Sequence, residues 1–389
     1  GIGGILDGDR PCRPGEVGRG VGTGLETHLQ PLMRYGIGDF AAWAEDQVCP
    51  CGRNMPILRG GEGRFEDYCQ TSDGRRILFS SGKAILAFDP AAETASADIL
   101  ATFDSEVTCL AADGEGNLAA GLNDGTILFA TGPSQGRRLS DPGARPSCPT
   151  ALHFDGEALI VCHGSRRNPP LAWKRDLMER NASGSLWRID LATGTPTCLA
   201  QGLAFPYGVA PGPAASYAVA ESWRHRIVAI ARSGGGAAAT LLDHLPGYPA
   251  RLVPAKGDGH WLCVFAPRSR LVEFVLRERN FCADMFREVE PDYWIAPSLT
   301  SGRSFLEPLQ GGAIKQLGIL KPWAPSRSYG LLIRLDGDFH PIASFHSRAD
   351  GRRHGVTSCL DRGDRVLVAC KGGDTIVGLD TGAGGGQSA

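Results

Sequence analysis

Between Phe345 and Gly355 the chain reads FHSRADGRRHG, which sets His346, Asp350 and His354 in one short stretch beside Arg352 and Arg353. An imidazole exchanges a proton near neutral pH, so His354 is a candidate general base, with a surface histidine as the competing reading. His346 and Asp350 could line the same site or cap a polar loop. Cys49 and Cys51 in CPCG are ligand types for zinc, with Cys12 or His28 brought in by folding; ordinary free thiols are the alternative. Trp294 and Trp323 lie in a Pro- and Gly-rich run with Lys315, Lys321 and Arg327, a set that can wall a pocket for an anionic or sugar-like ligand or clamp neighbouring elements. No GxSxG elbow, GxxxxGK[ST] loop or HExxH helix occurs.

These residues are embedded in a recurring unit. A short apolar strand opens on a small or polar residue, turns through a Gly-containing loop and returns as a second apolar strand. The copies span 66–80, 107–122, 149–163, 206–221, 249–265 and 356–370, with starts 41, 42, 57, 43 and 107 residues apart. A four-stranded propeller blade occupies roughly 40 to 50 residues, so the copies predict six blades and the two long intervals predict insertions. Each copy buries its apolar face only against its neighbours, which predicts closure into a ring.

Composition agrees with a turn-rich β protein: 53 Gly, 26 Pro and 21% charged residues. A net charge of −2 gives no basic footprint, so no nucleic-acid partner is expected. No apolar run of about 18 residues occurs, so no membrane span is expected. The sequence begins at Gly1 and shows no signal-peptide pattern. The 12 Cys are scattered, and Cys109, Cys162, Cys198, Cys263 and Cys370 fall in apolar strands, as small buried hydrophobes do. The expectation is a reduced, cytoplasmic chain.

Residues 1–65 depart from the repeat. They read GDRPCRPGEVGRGVGTGL, LQPLMRYGIGDFAAW and CPCGRNMPILRGGEGR. This stretch resembles part of the adenylate-forming ligases of the phenylacetate-CoA ligase type, whose RYxxGD segment carries an aspartate that holds the adenylate ribose. Asp39 matches it, after Arg34 and Tyr35. The phosphate loop, acyl pocket and C-terminal lid have no counterpart, so the resemblance implies a vestigial ribose contact at Asp39 in a small β appendage without ligase activity.

From Arg64 to Asp380 the phrases FEDY, GSLWRIDLATG, GLAFPYGVA, AESWRHRIVAI and LPGYPARL resemble the strictosidine-synthase-like and SMP-30/gluconolactonase propellers. In that superfamily the acid opening the first blade is a ligand of a central calcium, and Glu66 matches it, with Asp67 beside it. The remaining pattern is degenerate. Tyr207 and Thr150 stand where ligating Asn residues are expected, and Ala250 and Arg251 replace an Asp-Asn pair. Calcium is therefore a cofactor implied by the resemblance with most of its ligands missing. The guanidinium of Arg251 can take over the cation's role by facing Glu66 and Asp67 across the channel, or it can reach solvent. His354 falls near the glutamate with which the strictosidine synthases manage protons.

The fold expected is an all-β, six-bladed propeller over residues 66–381, with insertions at 165–183 and 277–327 and a tail at 382–389. The first insertion reads as a lid with a short helix, and the second as a helix around 278–289 followed by an aromatic loop. The resemblance implies an enzyme acting on a small organic molecule in the channel, by lactone or ester hydrolysis or related lyase chemistry. Glu66, Asp67 and His354 would be catalytic, and Tyr207, Arg251, Thr150 and Trp323 would bind substrate. The alternative is a non-catalytic small-ligand or protein-binding propeller, of the kind attached to transporter components, in which 277–327 meets a protein partner.

Overall fold

The computed structural model describes residues 2–7, 10–11, 17–23, 35–43, 58–60, 65–71, 75–89, 97–140, 148–301, 315–316, 319–320, 327–347, 353–363 and 365–380, with the backbone alone for 2–60, 65, 66, 68, 315–316 and 319–320. It forms two compact units, residues 1–64 with 91–96, and residues 65–90 with 97–389. The first contains a five-stranded antiparallel sheet, ordered Arg10–Pro11, Ile2–Asp7, Val17–Thr23, Tyr35–Trp43, Leu58–Gly60. Asp39 lies in the Tyr35–Trp43 strand. Cys12, His28, Cys49 and Cys51 fall outside the described residues.

The second unit is a six-bladed β-propeller. Each blade is an antiparallel meander, because alternating short apolar strands joined by Gly turns can pair only with their sequence neighbours. The innermost strands are Phe65–Gln70, Val107–Ala112, Pro149–Asp155, Pro206–Pro211, Gly247–Pro254 and Val356–Asp361. Blades one to five have four strands each; blade six has three among the described residues. Each innermost strand packs on that of the next blade, and Val356–Asp361 packs on Phe65–Gln70 to close the ring. The hydrophobic core is consequently divided into layers between blades. Leu78, Leu110 and Leu118 fill one, and Val219, Ile160 and Leu186 another.

Meander topology puts two kinds of connection on the same face of the ring, called upper here: second strand to third within a blade, and fourth strand to the first of the next. Both insertions are second-to-third connections. Residues 164–183 interrupt blade three and include helix α1 (Trp173–Met178). Residues 268–330 interrupt blade five and include α2 (Arg270–Val275) and α3 (Arg279–Glu288). The helix expected around 278–289 is α3; α2 was not anticipated.

One irregularity recurs in every blade. The pairing of first and second strands slips between Phe65 and Tyr68, Val107 and Cys109, Pro149 and Ala151, Pro206 and Gly208, Pro249 and Leu252, and Val356 and Ser358. The residues passed over include Asp67, Thr108, Thr150, Tyr207, Arg251 and Thr357. A bulge frees a residue from the ladder and re-aims its groups. Here it happens six times, at the upper end of the innermost strand.

Blades four and five approach closely at this level. A Cβ on Gly208 would collide with the Ala250 carbonyl oxygen and stand 2.8 Å from the Leu252 nitrogen. Gly208→Ala should therefore cost ~1–3 kcal/mol, as overpacking in a rigid interior does. Urea unfolding will measure it, and an unchanged midpoint would contradict the tight blade contact.

Candidate functional site

The six bulges bring their residues together around the axis. Arg251, 5% exposed, donates from Nε to Asp67 Oδ2 at 3.0 Å, from Nη1 to the Tyr207 carbonyl at 2.7 Å and from Nη2 to the Thr108 carbonyl at 2.8 Å. Its guanidinium also lies over the Tyr207 ring, 4.7 Å from the centroid. Asp67, 3% exposed, accepts from Ser358 Oγ on Oδ1 at 2.7 Å and from the Leu110 amide on Oδ2 at 2.8 Å. Burial by itself would lower the guanidinium's pKa, but the Asp67 carboxylate, the Tyr207 phenol and the Cys109 thiol together raise it, so the cation is permanent. Burial likewise pushes the Tyr207 phenol up to about 12, with Arg251 opposing and Asp67 assisting.

Hydroxyls extend this set around the ring. Thr108 Oγ1 donates to the Pro149 carbonyl at 2.8 Å, Thr150 Oγ1 to the Pro206 carbonyl at 2.5 Å, and Ser222 Oγ to the Pro249 carbonyl at 2.5 Å. Blades two to five are thus laced edge to edge by side chains. Buried thiols fill the spaces between: Cys109, Cys162, Cys263, Cys359 and Cys370 are free and buried, and desolvation pushes Cys109 up to about 12. Such thiols are inert. Cys198 is only half-buried.

Above the axis lies a layer of aromatic rings. Tyr207 meets Phe265 at 5.8 Å, Phe205 stacks on Trp223 at 4.5 Å, and Trp173 of α1 stands edge-on to Phe265 at 5.3 Å. The Trp223 indole donates to Asp176 Oδ1 at 2.8 Å. Asp176 is fully buried in α1 and takes Asn181 Nδ2 (2.7 Å) and Asn168 Nδ2 (3.1 Å) on Oδ2. The first insertion is therefore fastened over the mouth by a buried carboxylate whose neighbours all donate to it.

Beside this layer, still on the upper face, a cavity of about 500 Å³ opens among Leu177, Arg180, Trp223, His225, Glu273 and Arg277. His225 Nδ1 lies 2.9 Å from the Gly247 carbonyl, an acceptor, so this nitrogen carries a proton. Its Nε2 faces Glu273 Oε1 at 3.4 Å, and Arg268 donates to Glu273 Oε2 at 3.0 Å. The His225 contact, then Arg268, hold the Glu273 carboxyl down to about 2 against the effect of burial. The His225 ring packs on Tyr248 at 4.6 Å, which packs on Phe265. A continuous run of rings thus joins the axial arginine to the cavity.

The structure brings Asp67, Arg251 and Tyr207 together, and it turns Arg251 inward rather than to solvent. Thr150 lies in the same ring with its hydroxyl directed to a carbonyl, not to open space. Glu66 is in the Phe65–Gln70 strand, where only its backbone is described, and Trp323, Lys321 and Asp350 lie outside the described residues. His354 is fully buried, with Nδ1 2.6 Å from Ser328 Oγ, so as placed it does not meet the channel solvent expected of a proton shuttle. His346 sits exposed at the end of blade five's outermost strand, against Tyr329 and Ser344. Trp294 is buried against Phe286 at 4.9 Å, and Arg327 donates to the carbonyls of Asp292 and Trp294. Both contacts hold parts of the second insertion together. Among the described residues no three His, Cys, Asp or Glu side chains converge as metal ligands, and no helix is long and apolar enough to cross a membrane. The sequence reading missed Thr108, Ser358, Asp176, His225 and Glu273.

The six-bladed fold is similar to that of solved propeller structures. No family model and no curated protein matches the sequence. Among solved structures, a gluconolactonase from Xanthomonas campestris aligns over 82% of this chain and 86% of its own, with 15% identity and a TM-score of 0.51. A calcium-binding protein, regucalcin, from Agrobacterium tumefaciens covers 78% of this chain and 81% of its own at 13% identity and a TM-score of 0.44. At such identities the likeness is one of fold. These comparisons do not show the resemblance of residues 1–65 to adenylate-forming ligases or the strictosidine-synthase relation.

Arg251→Ala would leave Asp67 buried without its cation, which typically costs ~3–5 kcal/mol. Denaturant unfolding should show a loss of that order; a loss below ~1 kcal/mol would mean that the pair does not tie the ring. Glu273 gives a pH signature. Its folded pKa lies below its ordinary 4.5, so the stability it adds is full above that value and fades as pH falls toward 2. Glu273→Gln should be less stable than the parent at pH 6, with the gap narrowing below pH ~4. A gap constant with pH would refute the pairing with His225 and Arg268.

Proposed function

We propose that this protein handles a small organic molecule without a metal ion, and that the ligand is met on the upper face of the propeller, not on its axis. The observation that carries this reading is the placement of Arg251. Calcium takes about six to eight oxygen ligands, carboxylates among them. The oxygens that surround the guanidinium are the Asp67 carboxylate and the carbonyls of Thr108 and Tyr207, and each accepts from it. These residues do not fit a calcium ion, since a fixed positive charge holds the donors a cation would use.

The reading as a binding protein is supported by the ring packing of Trp173, Phe265 and Trp223 next to the axial Tyr207. Hydrolysis of a lactone or ester is a second reading, favoured by one observation beyond the fold. His225 and Glu273 form a proton-bearing pair at the wall of a cavity large enough for a small substrate. Such a pair can move a proton to or from a bound molecule; nothing in it calls for a metal.

The full chain should show the same melting temperature in calcium and in EDTA, because a ligand bound only by the folded state must raise it. A calcium-dependent rise of several degrees would overturn the proposal. Glucono-δ-lactone assayed in EDTA separates the two readings: turnover lost in His225→Asn supports the enzyme, and no turnover supports the binding protein.

A further inference from the structure

We infer that the upper-face cavity is a binding site for a small hydroxylated acid, a molecule with one carboxylate or phosphate group and several hydroxyls. The inference rests on the proposal that ligands meet the upper face, and it adds the chemical class. Four elements contribute to the wall: the end of α1, the turn Ser222–Arg224 with His225, the loop at Asp243 and His244, and α2 with its flanks.

The charges are unbalanced. Arg180, Arg224, Arg268 and Arg277 line the cavity against two carboxylates, Asp243 and Glu273. Two of the arginines are engaged, Arg224 with Glu221 and Arg268 with Glu273. Arg180 and Arg277 are exposed and have no acceptor among the described residues. They stand on opposite insertions, one after α1 and the other after α2, so an oxyanion between them would be held by two guanidinium groups.

The wall also offers acceptors and a flat surface. Glu273 Oε1 is buried, and among the described residues its one facing donor group is His225 Nε2 at 3.4 Å. A carboxylate oxygen with a single distant donor has room to accept from a ligand hydroxyl. Trp223, with an indole nitrogen already given to Asp176, presents its ring to the cavity. The backbone adds a second sign. Among the described residues eight non-glycine positions have positive φ, and three of them, Arg180 (52°), His225 (50°) and His244 (56°), line this one cavity. That conformation is costly for such residues and persists where surrounding structure enforces it, as at ligand sites.

Thermal shift and calorimetry on the full chain test the inference with three probes: D-gluconate, glucose 6-phosphate and neutral glucose. At least one acid should raise the melting temperature while glucose does not, and the stronger acid identifies carboxylate or phosphate as the group recognised. The double variant Arg180→Gln, Arg277→Gln should weaken that binding by about tenfold or more, since a charge-assisted hydrogen bond to an oxyanion strengthens binding by up to a few RT. Its melting temperature without ligand should stay near the parent's, because neither arginine has a side-chain partner to lose among the described residues. No shift with either acid, an equal shift with glucose, or full affinity in the double variant would each overturn the inference. None of these outcomes bears on the calcium experiment, so the two proposals fail separately.

Discussion

A ring of β-sheets presents its innermost strands to a common axis, and the polar groups freed there need a partner of positive charge. In this chain that partner is covalently attached. Arg251 reaches from blade five to a carboxylate on blade one and to carbonyls on blades two and four. A metal ion could satisfy the same groups only at the concentration its surroundings supply, whereas a tethered guanidinium is always present and cannot be deprotonated. The cost lies in geometry. A planar fork has fixed donor directions, so the acceptors must be placed to match it, and the bulges at Asp67, Thr108 and Tyr207 do so.

The axial cation shapes what lies above it. Tyr207 rests its face against the guanidinium and its edge against Phe265, and the rings continue through Trp223 and Trp173 to the buried Asp176 of α1. A lid held in this way by a desolvated carboxylate is part of the packed interior. The cavity lined by His225, Glu273, Arg180 and Arg277 lies beside this lid.

Much of this architecture is legible in the sequence. The six hairpin copies can be read because each needs alternating apolar residues and a Gly turn, and the two long spacings correspond to the two insertions. The pairing of Arg251 with Asp67 can be anticipated because a buried acid needs a cation and the usual ligands are replaced. What escapes is the column formed by the second residue of every copy: Asp67, Thr108, Thr150, Tyr207, Ala250 and Thr357. Aligning the copies on their starts exposes it, but nothing in a single copy says that the residue leaves the ladder. His354 misleads for a related reason. A histidine among arginines looks solvated, yet the connection before blade six folds it inward onto Ser328. The cavity residues are the hardest to see, since Arg180, His225 and Glu273 come from three separate connections and acquire meaning only when these are placed side by side.

The arrangement at the axis also has a mechanical side. A propeller ring is ordinarily only as strong as the seam where its last blade meets its first. Here Ser358 of blade six and Arg251 of blade five both grip Asp67 of blade one, and Leu110 of blade two grips it as well. The propeller is built as a hub with spokes. Peeling away the outermost described strand of blade six, Thr375–Asp380, would strip the rim while the spokes stay taut, and the ring would keep its circumference after losing part of its edge.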